Sequence, residues 1–196
     1  MIRRASGLFV ASLLALTVAA SSADAQVTIN GRVGLGVPTG GIADSDNSAL
    51  GVGAKSGFAW GFGLGLDLSD RFNLRANFDR TTHKTEAGDA TSGPDVNVNH
   101  YIAGLGYTVT DPANPFYVSV NLGAGAMTFD IQAEGAESDT YFAINAGAEI
   151  GYWLSNSVAI FASPQGDIAF TDKDKYGTSS AFVWPFTGGV KVKLGS

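Results

Sequence analysis

From Val27 to Leu194 apolar residues recur at every second position, in eight separate segments. A period of two belongs to β-strands, whose successive side chains point to opposite faces; a helix needs 3.6. In the second segment Phe58, Trp60, Phe62, Leu64, Leu66 and Leu68 share one face, while Gly61, Gly63, Gly65 and Asp67 share the other. The fifth places Phe116, Val118, Val120, Leu122, Ala124 and Ala126 on one face, and the sixth does so with Phe142, Ile144, Ala146, Ala148, Ile150 and Tyr152. No stretch sustains a helical period. The pattern predicts an all-β chain.

The second face decides what surrounds the sheet. It carries Asn30, Arg32, Asp67, Arg75, Asn77, Asp79, Asn121, Asn145, Glu149, Gln165, Asp167, Lys191 and Lys193, with many of the 26 glycines between them. A sheet in water would turn this sparse, glycine-rich face outward and crowd Trp and Phe at both ends of its core. In lipid the arrangement inverts, with the apolar face on hydrocarbon and the polar face lining the lumen. The segments have the length of a tilted membrane strand, ~9–11 residues or slightly more. Lipid offers no hydrogen-bond partner, so the sheet must close. We therefore expect a closed eight-stranded antiparallel up-and-down transmembrane β-barrel.

Connections give the orientation. Ser69 to Arg71, Thr110 to Pro115 and Ser155 to Ser157 are short; Pro38 to Ser56, Thr81 to Asn97, Asp130 to Asp139 and Thr171 to Ser179 are longer. The two kinds alternate strictly, as in barrels with short periplasmic turns and long outer loops. Residues 1–25 read as an export leader: Arg3 and Arg4, then the apolar run Leu8 to Ala20, then Ala23-Asp24-Ala25 as a small-x-small cleavage site. The barrel domain is then 26–196, delivered to the outer membrane of a Gram-negative-type bacterium.

Aromatic residues should form two interfacial girdles on the lipid face. Phe58, Trp60, Tyr101, Phe142, Phe170, Phe182 and Trp184 fall near the outer ends of their segments, and Phe72, Tyr107, Phe116 and Tyr152 near the periplasmic ends. Arg80 is the one charge on the lipid face, at the outer rim, where it can reach lipid phosphates.

Three stretches carry a family likeness: Phe116-Tyr-Val-Ser-Val-Asn-Leu-Gly-Ala-Gly-Ala126, Ala146-Gly-Ala-Glu-Ile-Gly-Tyr152 and Thr187-Gly-Gly-Val-Lys-Val-Lys-Leu194. In these the chain resembles the small eight-stranded outer-membrane β-barrels: the OmpA transmembrane domain and the OmpW-like and opacity-type porin-family proteins. The likeness implies the barrel architecture and an outer-membrane location, and names no activity.

Composition excludes several classes of function. No cysteine means no thiolate chemistry and no lipid-modified cysteine. A net charge of −6, with no basic stripe, argues against nucleic acid as a partner. Gly34-Leu-Gly-Val-Pro-Thr-Gly40 and Gly61-Phe-Gly-Leu-Gly65 precede no helix, so they offer no phosphate cradle. Of two histidines, His83 falls in a long loop and His100 at an outer strand end; His100 with Asp79 or Asp167 could imitate a rim hydrolase, yet no nucleophile has a distinctive context. No enzyme activity, cofactor or metal site is expected. Acidic loops, including Asp44, Asp46, Glu86, Asp89 and Asp130, could hold divalent cations loosely against lipid headgroups.

The lumen charges are more specific. Arg32, Asp67, Arg75, Glu149, Lys191 and Lys193 should pair in a narrow interior, with Arg75 and Glu149 near the centre. Tyr117, Met127, Phe129, Tyr141, Trp153 and Phe161 also point inward and can fill the space the glycines leave. Eight strands enclose only enough room for side chains or one small ligand. The expected function is a structural or surface-contact role for a plugged barrel. The alternative is a narrow OmpW-like path for small hydrophobic molecules. Expected partners are outer-membrane lipid and lipopolysaccharide, with the protein as a monomer.

Overall fold

The structure, a computed structural model, describes residues 26–44, 52–87 and 92–194, so the leader over 1–25 lies outside the described residues. In chain order the strands are β1 (Val27–Thr39), β2 (Val52–Ala54), β3 (Gly57–Asp67), β4 (Phe72–His83), β5 (Thr85–Ala87), β6 (Val96–Thr108), β7 (Phe116–Ile131), β8 (Asp139–Trp153), β9 (Val158–Ala169) and β10 (Ala181–Leu194). Eight close into one barrel in the order β1-β10-β9-β8-β7-β6-β4-β3, every neighbour antiparallel. Closure between β1 and β3 leaves no free edge, which hydrocarbon would not tolerate.

The two faces separate as the alternation requires. Leu122 is 69% exposed and Ile150 45%, whereas their neighbours Asn121 and Glu149 are buried in the interior. Residues across the pairing ladder stack the outer face into rows. Leu74, Leu105 and Leu122 form one row, which Leu66 continues in register although it is buried, and Phe62, Phe78, Tyr101, Ala126 and Phe142 form a higher one toward the long loops. The next row changes character: Trp60, Arg80, Asn99, Thr128 and Thr140.

The girdle residues occupy this outer face. Phe58, Trp60, Tyr101, Phe142, Phe170 and Trp184 are exposed toward the long-loop end; Phe72, Tyr107, Phe116 and Tyr152 are exposed toward the short-turn end. Phe182 is instead half-buried, because its partner Thr39 lies at the strand end where the chain folds over into Gly40.

Strands run farther at the long-loop end than the alternation suggests. β7 has 16 residues and β8 has 15, so the ladder continues above the apolar rows through Thr128–Thr140 and Phe129–Asp139. Backbone pairing needs no apolar surface, so nothing ends it where the grease ends. β2 and β5 pair with each other beyond the barrel rim, a small sheet the sequence did not suggest. One short helix, α1 (Lys173–Tyr176), stands in the last long loop. Asp172 caps it by accepting from the Asp174 N–H, and Gly177 ends it at a φ of 71°, where a side chain would be strained.

The ladder around β9 has a gap. Pairing with β10 skips from Val183–Asp167 to Phe186–Pro164, and pairing with β8 skips from Gly147–Gln165 to Ile150–Ala162. Pro164 has no N–H to give. Side chains close part of the gap from inside: Gln165 Nε2 donates to the Ala148 carbonyl at 3.1 Å, and Ser163 Oγ donates to the same oxygen at 3.3 Å.

Candidate functional site in the barrel lumen

A cavity of about 640 Å³ opens at the short-turn end, between strand ends and turns, with Asp67, Arg71, Arg75, Tyr117, Trp153, Lys191 and Lys193 among its lining. Three of these lining residues, Arg75, Tyr117 and Lys191, converge on Glu149, which is buried behind them. Arg75 Nη2 donates to Glu149 Oε2 at 3.1 Å, Tyr117 Oη donates to Oε1 at 2.8 Å, and Lys191 Nζ also bonds Oε1. One carboxylate from β8 thus ties β4, β7 and β10 across the lumen. The Glu149 side chain is 1% exposed, against 10% for Arg75 and 16% for Lys191. Tyr117 reaches it by lying on Gly151, where an added Cβ would stand 2.4 Å from the ring.

The six expected lumen charges do not all meet. Arg75, Glu149 and Lys191 form the cluster above. Lys193 instead sits over the Trp153 ring, 4.5 Å from its centre, because its stem reaches the lower wall of the cavity. Asp67 lines the same cavity without an ion-pair contact among the described residues. Arg32 belongs to a separate, higher layer. Its Nε and Nη2 grip both oxygens of Asp79, at 2.6 and 2.5 Å, while Nη1 reaches Asn30 and Asn77. The fork geometry suits a carboxylate, and both side chains are buried. The sequence placed Arg32 near mid-height, but one residue's height does not reveal which of several acids faces it.

Toward the long loops a third polar layer crosses the lumen. Asn145 Nδ2 donates to Asp167 Oδ1 at 2.6 Å, and His100 Nδ1 lies 2.7 Å from Asp167 Oδ2. His100 Nε2 is 3.3 Å from Thr81 Oγ1, which is 2.8 Å from His83 Nε2; His83 Nδ1 lies 2.8 Å from the Lys55 carbonyl. His83 is therefore a buried lumen residue at the end of β4, not a solvated loop residue.

Hydrogen-bond accounting constrains this chain. A carbonyl only accepts, so His83 Nδ1 carries the hydrogen; facing the Asp167 carboxylate as an acceptor, His100 Nδ1 is assigned one too. Both Nε2 atoms then face one hydroxyl, which has one hydrogen to give. Two neutral rings leave one contact unsatisfied; one added proton, on either ring, satisfies every bond. Of the two contacts the Thr81–His83 one is the shorter. The order Asp167–His100–Thr81 imitates an acyl-transfer triad. However, Thr81 and His100 are 0% exposed, and His83 competes for the hydroxyl.

Apolar side chains fill the rest of this level: Val98, Ile102, Met127, Phe129 and Val183. Tyr176 of α1 packs on them from above, 5.7 Å from the Phe129 ring and 5.8 Å from the Tyr141 ring. Its hydroxyl donates to Asp139 at 2.8 Å, and burial with this bond pushes its phenol well above the ordinary range. Tyr117 and Phe161 form a second apolar pair near the cavity, packed against Trp153.

The loop acids make no comparable centre. Among the described residues no group of three or more His, Asp or Glu side chains is arranged to hold a metal ion; Asp46 and Asp89 lie outside them. Lys55 pairs with Glu86 at 3.4 Å in the open.

Solved structures share this architecture. Neisserial surface protein A is similar at a TM-score of 0.64 and 16% identity, over 86% of this chain and 97% of that one. The outer membrane protein OprG of Pseudomonas aeruginosa is similar at 0.59 and 14%, over 88% and 97%. Ail, the attachment invasion locus protein of Yersinia pestis, is similar at 0.51 and 15%, over 87% and 97%. At such identities the likeness is one of fold. Curated proteins offer no match in sequence. Residues 8–184 match the family described as outer membrane protein beta-barrel domain. With that match over most of its length, and a closed eight-stranded barrel that is apolar outside and polar within, the chain belongs to the outer-membrane β-barrel protein family.

Proposed function

We propose that this protein is a closed barrel with a structural or surface-contact role in the outer membrane, its lumen plugged by its own side chains. The observation that carries the reading is the stack of three cross-lumen layers. Glu149 with Arg75, Lys191 and Tyr117 lies lowest; Arg32 with Asp79 lies above it; Asp167, His100, Thr81 and His83 lie highest, among apolar side chains. Each lower layer joins opposite charges in a narrow interior, and opening either would strand a buried charge, which is strongly unfavourable. A non-enzymatic role accords with the burial of Thr81 and His100, which leaves a substrate no approach.

Planar-bilayer recording with purified protein tests the reading. Baseline current without discrete steps is expected. Steady ion conductance would overturn it. The second reading, a path for small apolar solutes, has in its favour the apolar side chains at the long-loop end, Val98, Met127 and Phe129. Uptake of a small hydrocarbon by protein-bearing liposomes, above that of empty ones, would support it in place of the plug.

A further inference from the structure

We propose that the outer face between β3 and β8 binds a phosphorylated sugar lipid of the outer leaflet, with Arg80 on the phosphate. This goes beyond the closed-lumen reading and does not depend on it. Phe62, Phe78 and Tyr101 share one outer row, with Trp60 packed edge-on to Phe78 from the row above; the ring centroids lie 5.2 to 5.6 Å apart. Such rings settle at the boundary between hydrocarbon and headgroups. Arg80 stands in the row immediately above, on the headgroup side. Among the described residues it has neither an ion-pair nor a hydrogen-bond partner, unlike the interior arginines Arg32 and Arg75.

A half-buried arginine, paired in register with Trp60 and lacking a carboxylate, asks for an anion at that depth. In a bilayer that anion is a lipid phosphate, which the guanidinium fork fits bidentately. The remainder of the row favours a wide headgroup. Asn99, Thr128 and Thr140 continue it on the next three strands, at about 4.8 Å per strand, so polar groups extend about 14 Å from Arg80. Thr128 and Thr140 share a 2.8 Å hydrogen bond that leaves hydroxyl capacity facing outward. A phosphate at one end with hydroxyls and amides beside it matches a phosphorylated disaccharide. A phosphodiester headgroup would engage Arg80 and leave the rest of the row to water.

The test is native mass spectrometry of the folded barrel in detergent micelles, titrated separately with bisphosphorylated lipid A, dephosphorylated lipid A and phosphatidylglycerol. Folding is verified by heat-dependent gel mobility. Wild type should hold bisphosphorylated lipid A about tenfold more tightly than either other lipid, a factor suited to one charged hydrogen-bonded contact. Arg80→Gln should erase the preference over the dephosphorylated form, and Arg80→Lys should retain part of it. The proposal fails if wild type shows no preference, if Arg80→Gln keeps it, or if phosphatidylglycerol binds as tightly as lipid A. The wild-type lipid comparison needs no variant, so a poorly folding Arg80→Gln does not spare the proposal. Conductance of the same preparation would sink only the closed lumen.

Discussion

Removing the Glu149 carboxylate is the sharpest perturbation of the lumen. In Glu149→Ala, Arg75 and Lys191 lose their shared anion and Tyr117 loses its acceptor. Breaking a buried ion pair by deleting one partner costs ~3–5 kcal/mol. The lower end applies here, because Arg75 and Lys191 line the open cavity and water can reach them once freed. The expected loss is thus about 3 kcal/mol. With a urea slope of ~2 kcal/mol/M, the unfolding midpoint should fall by about 1.5 M. Tryptophan fluorescence in lipid vesicles reads it, since Trp153 borders the cavity. The control, Glu134→Ala, changes an exposed loop residue and should stay within ~0.5 kcal/mol. Equal midpoints for the two variants would refute the reasoning.

Other expectations follow from single contacts. Gly151→Ala places a methyl against the Tyr117 ring and should cost ~1–3 kcal/mol by overpacking. Combined with Glu149→Ala its effect should be less than additive, since both lose the Tyr117–Glu149 bond; full additivity in the same urea assay would contradict the coupling. Gln165→Ala removes a donor from the Ala148 carbonyl beside the ladder gap, and should lower stability by ~1–3 kcal/mol. It should also speed deuterium exchange of β9 and β10 amides, and unchanged exchange would show that the gap needs no side-chain closure. Nitrogen-15 shifts should place a hydrogen on Nδ1 of both His83 and His100. A neutral His83 protonated only on Nε2 would break the accounting of the third layer.

The barrel was legible because its signal is repetitive. Eight alternating segments each repeat the same assignment of Leu and Phe outward, Asn and Gly inward, so a local ambiguity is outvoted by its neighbours. β2 and β5 were not legible, since three residues cannot show a period. In the lumen, Arg75 and Glu149 could be brought together because strand direction set both near the same end. Arg32–Asp79 and His100–Asp167 depend on how strands stagger around the closed sheet, and alternation fixes a face without fixing that register. His83 reads as a loop residue in the sequence because the apolar period stops at Phe78, while backbone pairing continues to the rim. Lys193 shows a different limit: a long flexible stem chooses among nearby partners, and a ring face competes with a carboxylate.

Everything rests on which face of the sheet meets lipid, and the absence of cysteine makes that directly measurable. Single cysteines at Leu122, Ile150 and Asn121, spin-labelled in vesicles, report collisions with membrane-dissolved oxygen and with a water-soluble nickel chelate. Labels at Leu122 and Ile150 should favour oxygen and the label at Asn121 should not. Nickel-accessible labels at Leu122 and Ile150, with an oxygen-accessible label at Asn121, would contradict the account.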